Sequence, residues 1–130
     1  MKLMQQKRAA FALTSVSEVQ KHLSKSKQKE FVSYASSLPA MIHTNGLGQA
    51  AAFFKSKGSV HELLYQLLSD WLQEKDQPFA GKELLEGITR SNMQTYRLAQ
   101  AEAQALMDWV KKFSKAYMDT EDQANDTTTI

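Results

Sequence analysis

The sequence predicts an all-α protein, a compact bundle of about six helices with a long C-terminal core helix. Apolar residues recur at intervals of three and four along most of the chain, which is the spacing of one helix face. No window alternates between apolar and polar residues for long enough to indicate a half-buried strand. Glycines, prolines and capping residues separate the apolar segments, and 130 residues are enough for one hydrophobic core.

The first two predicted helices precede a proline. Residues 2–24 carry two irregular apolar stripes, and residues 26–37 carry a more regular one. The second helix is expected to end before Pro39, because the residue that precedes a proline disfavours the helical conformation. Pro39 itself fits the first turn of a further short helix, since its missing N–H would have no partner there.

The segment from Leu38 to Lys57, LPAMIHTNGLGQAAAFFKSK, contains the densest group of turn residues. Asn45 and Gly46 both tolerate positive φ, so they are expected to end the short helix and reverse the chain. A new helix is predicted from about Leu47, with small residues that let a neighbouring backbone approach closely. Its apolar face consists of Leu47, Ala50, Ala51 and Phe54.

Capping signals mark the next helices. Gly58 is expected to cap the helix before it, and Ser59 with Glu62 forms a capping box for a leucine-rich helix. A loop is predicted over residues 75–82, which contain a proline and a glycine, and a short helix over residues 83–89.

The longest periodic segment closes the predicted domain. Ser91 with Gln94 forms a second capping box, and the helix that follows is expected to be the centre of the core. We predict one helical domain over residues 1–118 and a disordered acidic tail over residues 119–130, which are too poor in apolar residues to fold. The stripe of the last helix is Met93, Tyr96, Ala99, Ala103, Leu106, Val110, Phe113 and Tyr117.

Composition excludes several classes of protein. The chain contains no cysteine, so a disulfide scaffold, a zinc ribbon and a thiol nucleophile are ruled out. The first twenty residues lack the apolar core of a signal peptide, and no apolar run approaches the length of a membrane span. We therefore expect a cytoplasmic protein that makes no contact with a membrane.

Positive charge is concentrated in the first half of the chain. Residues 1–57 contain nine lysines and arginines against two glutamates, residues 58–118 are nearly balanced, and residues 119–130 carry four acidic groups without a base. Flexible cations can neutralise RNA phosphates independently of sequence, although a solvated surface and favourable helix C-terminal charges explain several of the same residues. The candidate RNA-binding residues are Lys21, Lys25, Lys27, Lys29, Lys55, Lys57, Arg97, Lys111, Lys112 and Lys115.

Two short motifs resemble ligand sites but lack the required context. GLGQAA, which starts at Gly46, matches a dinucleotide fingerprint, yet no buried strand precedes it, so a helix-packing turn is the better interpretation. HELLY, which starts at His61, begins like a zinc-protease helix, but Tyr65 stands where the second histidine is needed. We therefore predict neither a cofactor nor a metal site.

No single element gathers the groups that acid/base catalysis needs. Glu102 lies beside the core stripe of the last helix, five residues after Arg97, where a buried ion pair between helices is possible. A fold that brought His43 or His61 near Arg97 would leave nuclease chemistry open. No catalytic residue is predicted.

Two blocks of the sequence closely resemble the small-subunit family of the type III-B CRISPR effector (Cmr) complex. They are LPAMIHTNGLGQAAAFFKSK and YRLAQAEAQALMDWVKKF, with a leucine-rich helix between them that ends in Trp71 and Leu72. The resemblance covers roughly residues 9–117 and involves patterns too specific for a generic amphipathic helix.

The resemblance implies a compact helical protein without known catalytic residues. Its copies would stack side by side along the effector complex, next to the repeat-forming backbone subunit, and help to form the channel where guide and target RNA pair. The matched positions include Lys55, Lys57, Arg97 and Lys112, and most matched residues are expected to serve the fold. The structural motif comprises Pro39, Asn45, Gly46, Gly48, Gln49, Tyr96, Glu102 and Trp109.

The function predicted from the sequence is therefore a non-catalytic Cmr scaffold subunit that contacts RNA phosphates. Its predicted partners are other Cmr subunits, especially the repeat-forming backbone subunit, identical copies of itself, and crRNA and target RNA. Two alternatives remain, a small metal-independent ribonuclease and a protein-interaction module without RNA contact.

Overall fold

Six α-helices make up most of residues 3–118, the part of the chain that the computed structural model describes. The predicted all-α class and the long C-terminal helix are confirmed, and residues 3–118 contain no strand. The predicted disordered tail, residues 119–130, lies outside this range. In chain order the helices are α1 (Met4–His22), α2 (Lys25–Asn45), α3 (Leu47–Lys57), α4 (Ser59–Leu72), α5 (Leu84–Arg90) and α6 (Met93–Tyr117).

Helix α6 is the axis of the bundle, because α1, α2, α3 and α4 all pack against it. Its predicted apolar stripe is buried in the middle, where Ala99 and Val110 are fully covered. The two ends of the stripe do not belong to the core, since Met93 is 68% exposed and Tyr117 is 57% exposed. Met107 lies outside the predicted stripe but is fully buried, because α6 has neighbours on more than one side.

Hydrogen-bonded pairs show how α6 is aligned with the helices around it. Helix α1 runs parallel to α6, because two pairs follow the same order along both helices: Arg8 with Glu102, and Gln20 with Tyr117. Helix α2 and the start of α3 meet α6 in the reverse order: Pro39 with Gln104, and Leu47 with Gln100. The end of α1 and the start of α2 therefore lie beside the C-terminal end of α6.

Pro39 lies inside α2, so the prediction that it ends one helix and begins another is wrong. A proline in a helix interior costs about 3 kcal/mol, because it removes a hydrogen bond and crowds the preceding turn. Here the helix continues because Leu38 and Ile42 extend the buried face that begins at Phe31. The Pro39 carbonyl also accepts a hydrogen bond of 3.1 Å from Gln104 Nε2 of α6. Packing along α2 thus outweighs the local preference of proline.

Both predicted capping boxes are wrong. Gly58 ends α3 with φ of 67°, as expected, but it is also the N-cap of α4, and Ser59 makes no capping hydrogen bond. Asn92, rather than Ser91, caps α6, and its Oδ1 accepts from the Thr95 N–H at 2.8 Å. In both places the cap stands one position away from the residue predicted from the pattern.

A largely buried carboxylate of α6 is shared by three helices. Glu102 of α6 accepts two hydrogen bonds from the guanidinium group of Arg8 in α1, at 2.7 and 2.9 Å. It also accepts one from the indole Nε1 of Trp71 in α4, at 2.8 Å. The helix-linking ion pair considered from the sequence therefore exists with Arg8 as its base, whereas Arg97 is exposed.

The pKa of Glu102 reports this environment. Burial alone would raise the pKa of the carboxyl group, but the hydrogen bonds from Arg8 and Trp71 outweigh burial and lower it. The same contact raises the pKa of Arg8, chiefly through its hydrogen bond with Glu102. Because the folded-state pKa of Glu102 is lowered, its contribution to stability is complete above the ordinary value of 4.5 and is lost as the pH falls through the folded-state pKa.

We expect Glu102→Gln to destabilise the bundle by about 1.5–3 kcal/mol at neutral pH, because it weakens charge-assisted hydrogen bonds to Arg8. The difference between wild type and variant should shrink as the pH falls from 4.5 through the lowered folded-state pKa, where the native carboxylate takes up its proton. Urea unfolding followed by circular dichroism over this pH range measures both effects.

The matched control is Arg97→Gln on the same helix, where the side chain is exposed. It should leave the free energy of unfolding nearly unchanged at every pH. A Glu102→Gln variant as stable as this control at neutral pH would contradict the role assigned to the carboxylate.

Candidate nucleic-acid interface

Lysines from three helices meet at one end of the bundle. The turn between α1 and α2 consists of Leu23 and Ser24, and Gln28 Nε2 folds back to donate to the Leu23 carbonyl at 3.0 Å. Gln20, near the end of α1, donates to the Tyr117 carbonyl at 2.6 Å and so holds the end of α6 beside the turn. We call this surface the basic end, and its lysines are Lys21, Lys25, Lys27, Lys29 and Lys115.

The carboxylates at the basic end form weak ion pairs. Lys21 Nζ lies 3.1 Å from Glu18 Oε1, and Lys27 Nζ lies 3.4 Å from Glu30 Oε2. Exposed pairs of this kind contribute about 0–1 kcal/mol, so another anion can compete with the glutamates for the lysines. Residues 17–30 and 111–118 together contain seven lysines and two glutamates, so the region keeps a clear excess of positive charge.

Side-chain contacts connect Lys57, at the end of α3, to the part of α2 that carries the basic end. Tyr34 Oη donates to Glu30 Oε1 at 3.3 Å, and the Tyr34 ring stacks on His61 with their centroids 3.8 Å apart. The charges of Lys57 and Glu30 both act on His61. Because Glu30 also pairs with Lys27, the structure brings the end of α3 close to the α2 part of the basic end.

Three of the candidate lysines also lie over aromatic rings. Lys57 Nζ is 5.2 Å from the centre of the Phe53 ring, and Lys112 Nζ is 6.0 Å from the Trp109 ring. Lys55 Nζ lies 5.1 Å from the Tyr65 ring, and its hydrogen bond with Glu62 raises the pKa of this lysine. Lys111 and Lys112 stand about one turn before Lys115 on α6.

Arg97 is separated from these lysines. It is exposed near the start of α6, about 27 Å along the helix axis from Lys115. It borders an open groove of about 570 Å³ between α2 and α6. The groove is lined by His43, Met93, Tyr96, Arg97, Gln100, Ala101 and Gln104.

The other histidine considered for chemistry, His61, is a packing residue. It lies between the rings of Tyr34, Phe53 and Phe54, with centroid distances of 3.8, 6.1 and 4.9 Å. Burial lowers its pKa, and the nearby charge of Lys57 lowers it further. His61 does not line the groove that contains Arg97.

The two sequence blocks that carried the family resemblance meet at the start of α3. The first N–H groups of a helix have no partner within the helix, and the N-cap of α3, Gly46, has no side chain to supply one. The Leu47 N–H donates to Gln100 Oε1 at 2.9 Å, and the Gly48 N–H donates to Tyr96 Oη at 2.8 Å. Side chains of α6 therefore cap α3, and the GLGQAA turn has no role as a phosphate cradle at these two groups.

Two positions in this turn require glycine, each for a different reason. Gly46 has φ of 88°, a left-handed conformation that residues with a Cβ rarely adopt. At Gly48 a Cβ would lie 3.3 Å from Ile88 Cγ2 and 3.4 Å from Tyr96 Oη, so a larger residue would crowd the capping hydroxyl. The remaining motif residues are spread out: Asn45 ends α2, Gln49 is exposed, and Trp109 stacks on Phe113 of the same helix.

Several residues that organise the structure were missed in the sequence. In the sequence, Arg8 contributes only to the count of positive charges in residues 1–57. Gln100 and Gln104 are polar, so the apolar periodicity of α6 does not single them out. Gly87, in the middle of α5, lets the Phe79 ring pack where a Cβ would lie 2.4 Å from Phe79 Cγ. A glycine inside a predicted helix was the one available signal for such a close approach.

Within residues 3–118, no three histidine, aspartate or glutamate side chains are grouped so that they could hold a metal ion. No helix among those described has the length and apolar character needed to cross a membrane.

Comparison with known proteins identifies the family. The family model for CRISPR-associated protein (Cas_Cmr5) matches residues 4–117, which is most of the chain. The chain belongs to the Cmr5 family. This confirms the resemblance to the small-subunit family of the type III-B CRISPR effector complex, which the sequence blocks had indicated.

A solved structure agrees with the Cmr5 assignment. The chain is similar to a CRISPR-associated Cmr5 family protein from Thermus thermophilus, known from its X-ray crystal structure. The two share 27% sequence identity with a TM-score of 0.77, and the match covers 91% of this chain and 100% of the other. Membership in the Cmr5 family supports association with other Cmr subunits.

We expect Tyr96→Phe to destabilise the protein by about 1 kcal/mol, because the Gly48 N–H loses its acceptor while the ring remains in place. The free energy of unfolding, measured in urea, tests this. Tyr117→Phe is the matched control, since Tyr117 is 57% exposed at the other end of α6 and should change stability by only a few tenths of a kcal/mol. Equal effects of the two substitutions would contradict the capping role.

Proposed function

We propose that the protein is a non-catalytic small subunit of a type III-B CRISPR effector complex whose basic end contacts RNA phosphates. The observation that supports RNA contact is the convergence of four lysines with the lysine-rich end of α6. The four are Lys21, Lys25, Lys27 and Lys29. Cations on three helix termini give a broad positive surface. Such a surface suits the backbone of RNA whose sequence is read by base pairing with a guide.

Protein contacts are assigned to two surfaces that expose apolar side chains. Met93 and Leu98, at the start of α6, are 68% and 58% exposed, and they border a shallow apolar groove with Arg97. Phe53, which is 42% exposed, lines a second groove between α2 and α3. Contiguous exposed apolar surface with a polar rim is typical of protein interaction sites. We assign these two surfaces to the repeat-forming subunit and to identical copies.

We expect the triple variant Lys21→Gln, Lys25→Gln, Lys29→Gln to bind single-stranded RNA more weakly and with less dependence on salt. Each phosphate contact contributes about 0.7 to the slope of log K against log salt concentration, so the slope should fall by about 2. Fluorescence anisotropy with a labelled oligonucleotide over a salt series measures both the affinity and the slope.

The matched control removes three lysines elsewhere, in the variant Lys7→Gln, Lys75→Gln, Lys82→Gln. Its formal charge changes equally, but Lys7 stands at the start of α1 and Lys75 follows α4, both away from the basic end. Equal loss of affinity in the two variants would contradict a localised RNA surface. Absence of RNA binding by the protein, both alone and in the assembled complex, would favour the protein-interaction module.

A metal-independent ribonuclease is the second candidate, because one observation favours it. His43 and Arg97 line the same open groove, and a histidine beside an arginine can move a proton and stabilise a phosphorane-like charge. The basic end is distant from this groove, which favours the non-catalytic proposal.

We expect no cleavage of labelled single-stranded RNA by the pure protein, with or without EDTA, and no change on His43→Ala. RNA fragments separated on a denaturing gel provide the measurement. Reproducible cleavage that His43→Ala abolishes, and that His61→Ala leaves intact, would replace the proposed function by the ribonuclease.

A further inference from the structure

We propose that the acidic C-terminal segment, residues 119–130, binds the basic end of its own chain and competes there with RNA. This inference rests on the proposed function for its consequence, because the competition matters only if the basic end binds RNA. The occupant is identified by where the described chain ends and by charge complementarity.

The segment starts within the surface that it would cover. Met118, the last described residue, is 2% exposed, and its N–H donates to the Ser114 carbonyl at 2.9 Å. Gln20 holds the neighbouring Tyr117 carbonyl against the end of α1. The chain therefore leaves the bundle at a fixed point, three residues after Lys115 and beside the α1–α2 turn.

The charges of the two parts are opposite and similar in size. Residues 119–130 contain four acidic side chains and no basic one, namely Asp119, Glu121, Asp122 and Asp126. The lysines of residues 17–30 and 111–118 exceed the glutamates there by five. Glu18 and Glu30 form exposed pairs with Lys21 and Lys27, at 3.1 and 3.4 Å, so other carboxylates can reach these two lysines.

Because residues 119–130 are covalently attached to the bundle, even a weak contact with the basic end can be populated. Twelve residues span at most about 40 Å when extended, which is enough to reach the first turn of α2 from the end of α6. A tethered segment of this length has an effective concentration on the order of millimolar at its site. Four carboxylates that bind individually weakly can therefore occupy the lysines of the basic end much of the time and displace a short or poorly placed RNA.

Binding assays test the competition. We expect two variants to bind single-stranded RNA about three- to tenfold more tightly than the full chain at low salt, and the difference to close at high salt. One variant ends at Met118, and the other carries Asp119→Asn, Glu121→Gln, Asp122→Asn and Asp126→Asn. Deletion of the uncharged residues 127–130 should change nothing.

A second control separates local binding from net charge. Asp70→Asn, Glu74→Gln, Asp76→Asn and Glu86→Gln remove the same formal charge from exposed positions outside the basic end. An equal gain in RNA affinity in this variant would overturn the proposal, because it would show that net charge alone matters.

A cross-linking experiment tests the segment contact separately from RNA binding. A carbodiimide that joins carboxylates directly to amines should link residues 119–130 to Lys21, Lys25, Lys27 or Lys29, as mapped by mass spectrometry. Added RNA should suppress these cross-links. Cross-links without any RNA binding would support the segment contact and overturn the proposed function, whereas RNA binding without cross-links and without a gain on truncation would overturn the segment contact alone.

Discussion

The Glu102 carboxylate determines how the helices of this bundle are aligned. It accepts hydrogen bonds from Arg8 in α1 and Trp71 in α4, so three helices converge on one side chain of α6. A buried carboxylate without such partners would be costly, and this cost ties the register of α1 to that of α6. With that register set, Gln20 meets the Tyr117 carbonyl at the far end. The parallel pair places the lysines that end both helices side by side.

The second constraint is the capping of α3 by α6. Leu47 and Gly48 present N–H groups that the glycine before them cannot satisfy, and Gln100 and Tyr96 supply the acceptors. The two sequence blocks that carried the family resemblance are therefore two halves of one contact. The glycine-rich turn is a packing device, and it positions the helix that ends at Lys57.

These constraints produce a protein with different surfaces at its two ends. Near the start of α6, exposed Met93 and Leu98 lie beside Arg97. At the other end, lysines of α1, α2 and α6 form a broad positive surface. Helix α6 separates the two surfaces by most of its length. The proposed function needs this separation, because lysines are poor residues for the centre of a subunit contact.

The sequence by itself determined the helical class, the breaks at Gly46 and Gly58, and the family, because apolar period and turn residues are local properties. It did not determine that α2 passes through Pro39, that Asn92 rather than Ser91 caps α6, or that Arg8 rather than Arg97 pairs with Glu102. Each of these depends on which residues another helix brings close. The basic end has the same origin: its lysines are separated by up to 94 positions in the chain, between Lys21 and Lys115, and only the parallel packing of α1 on α6 makes them neighbours.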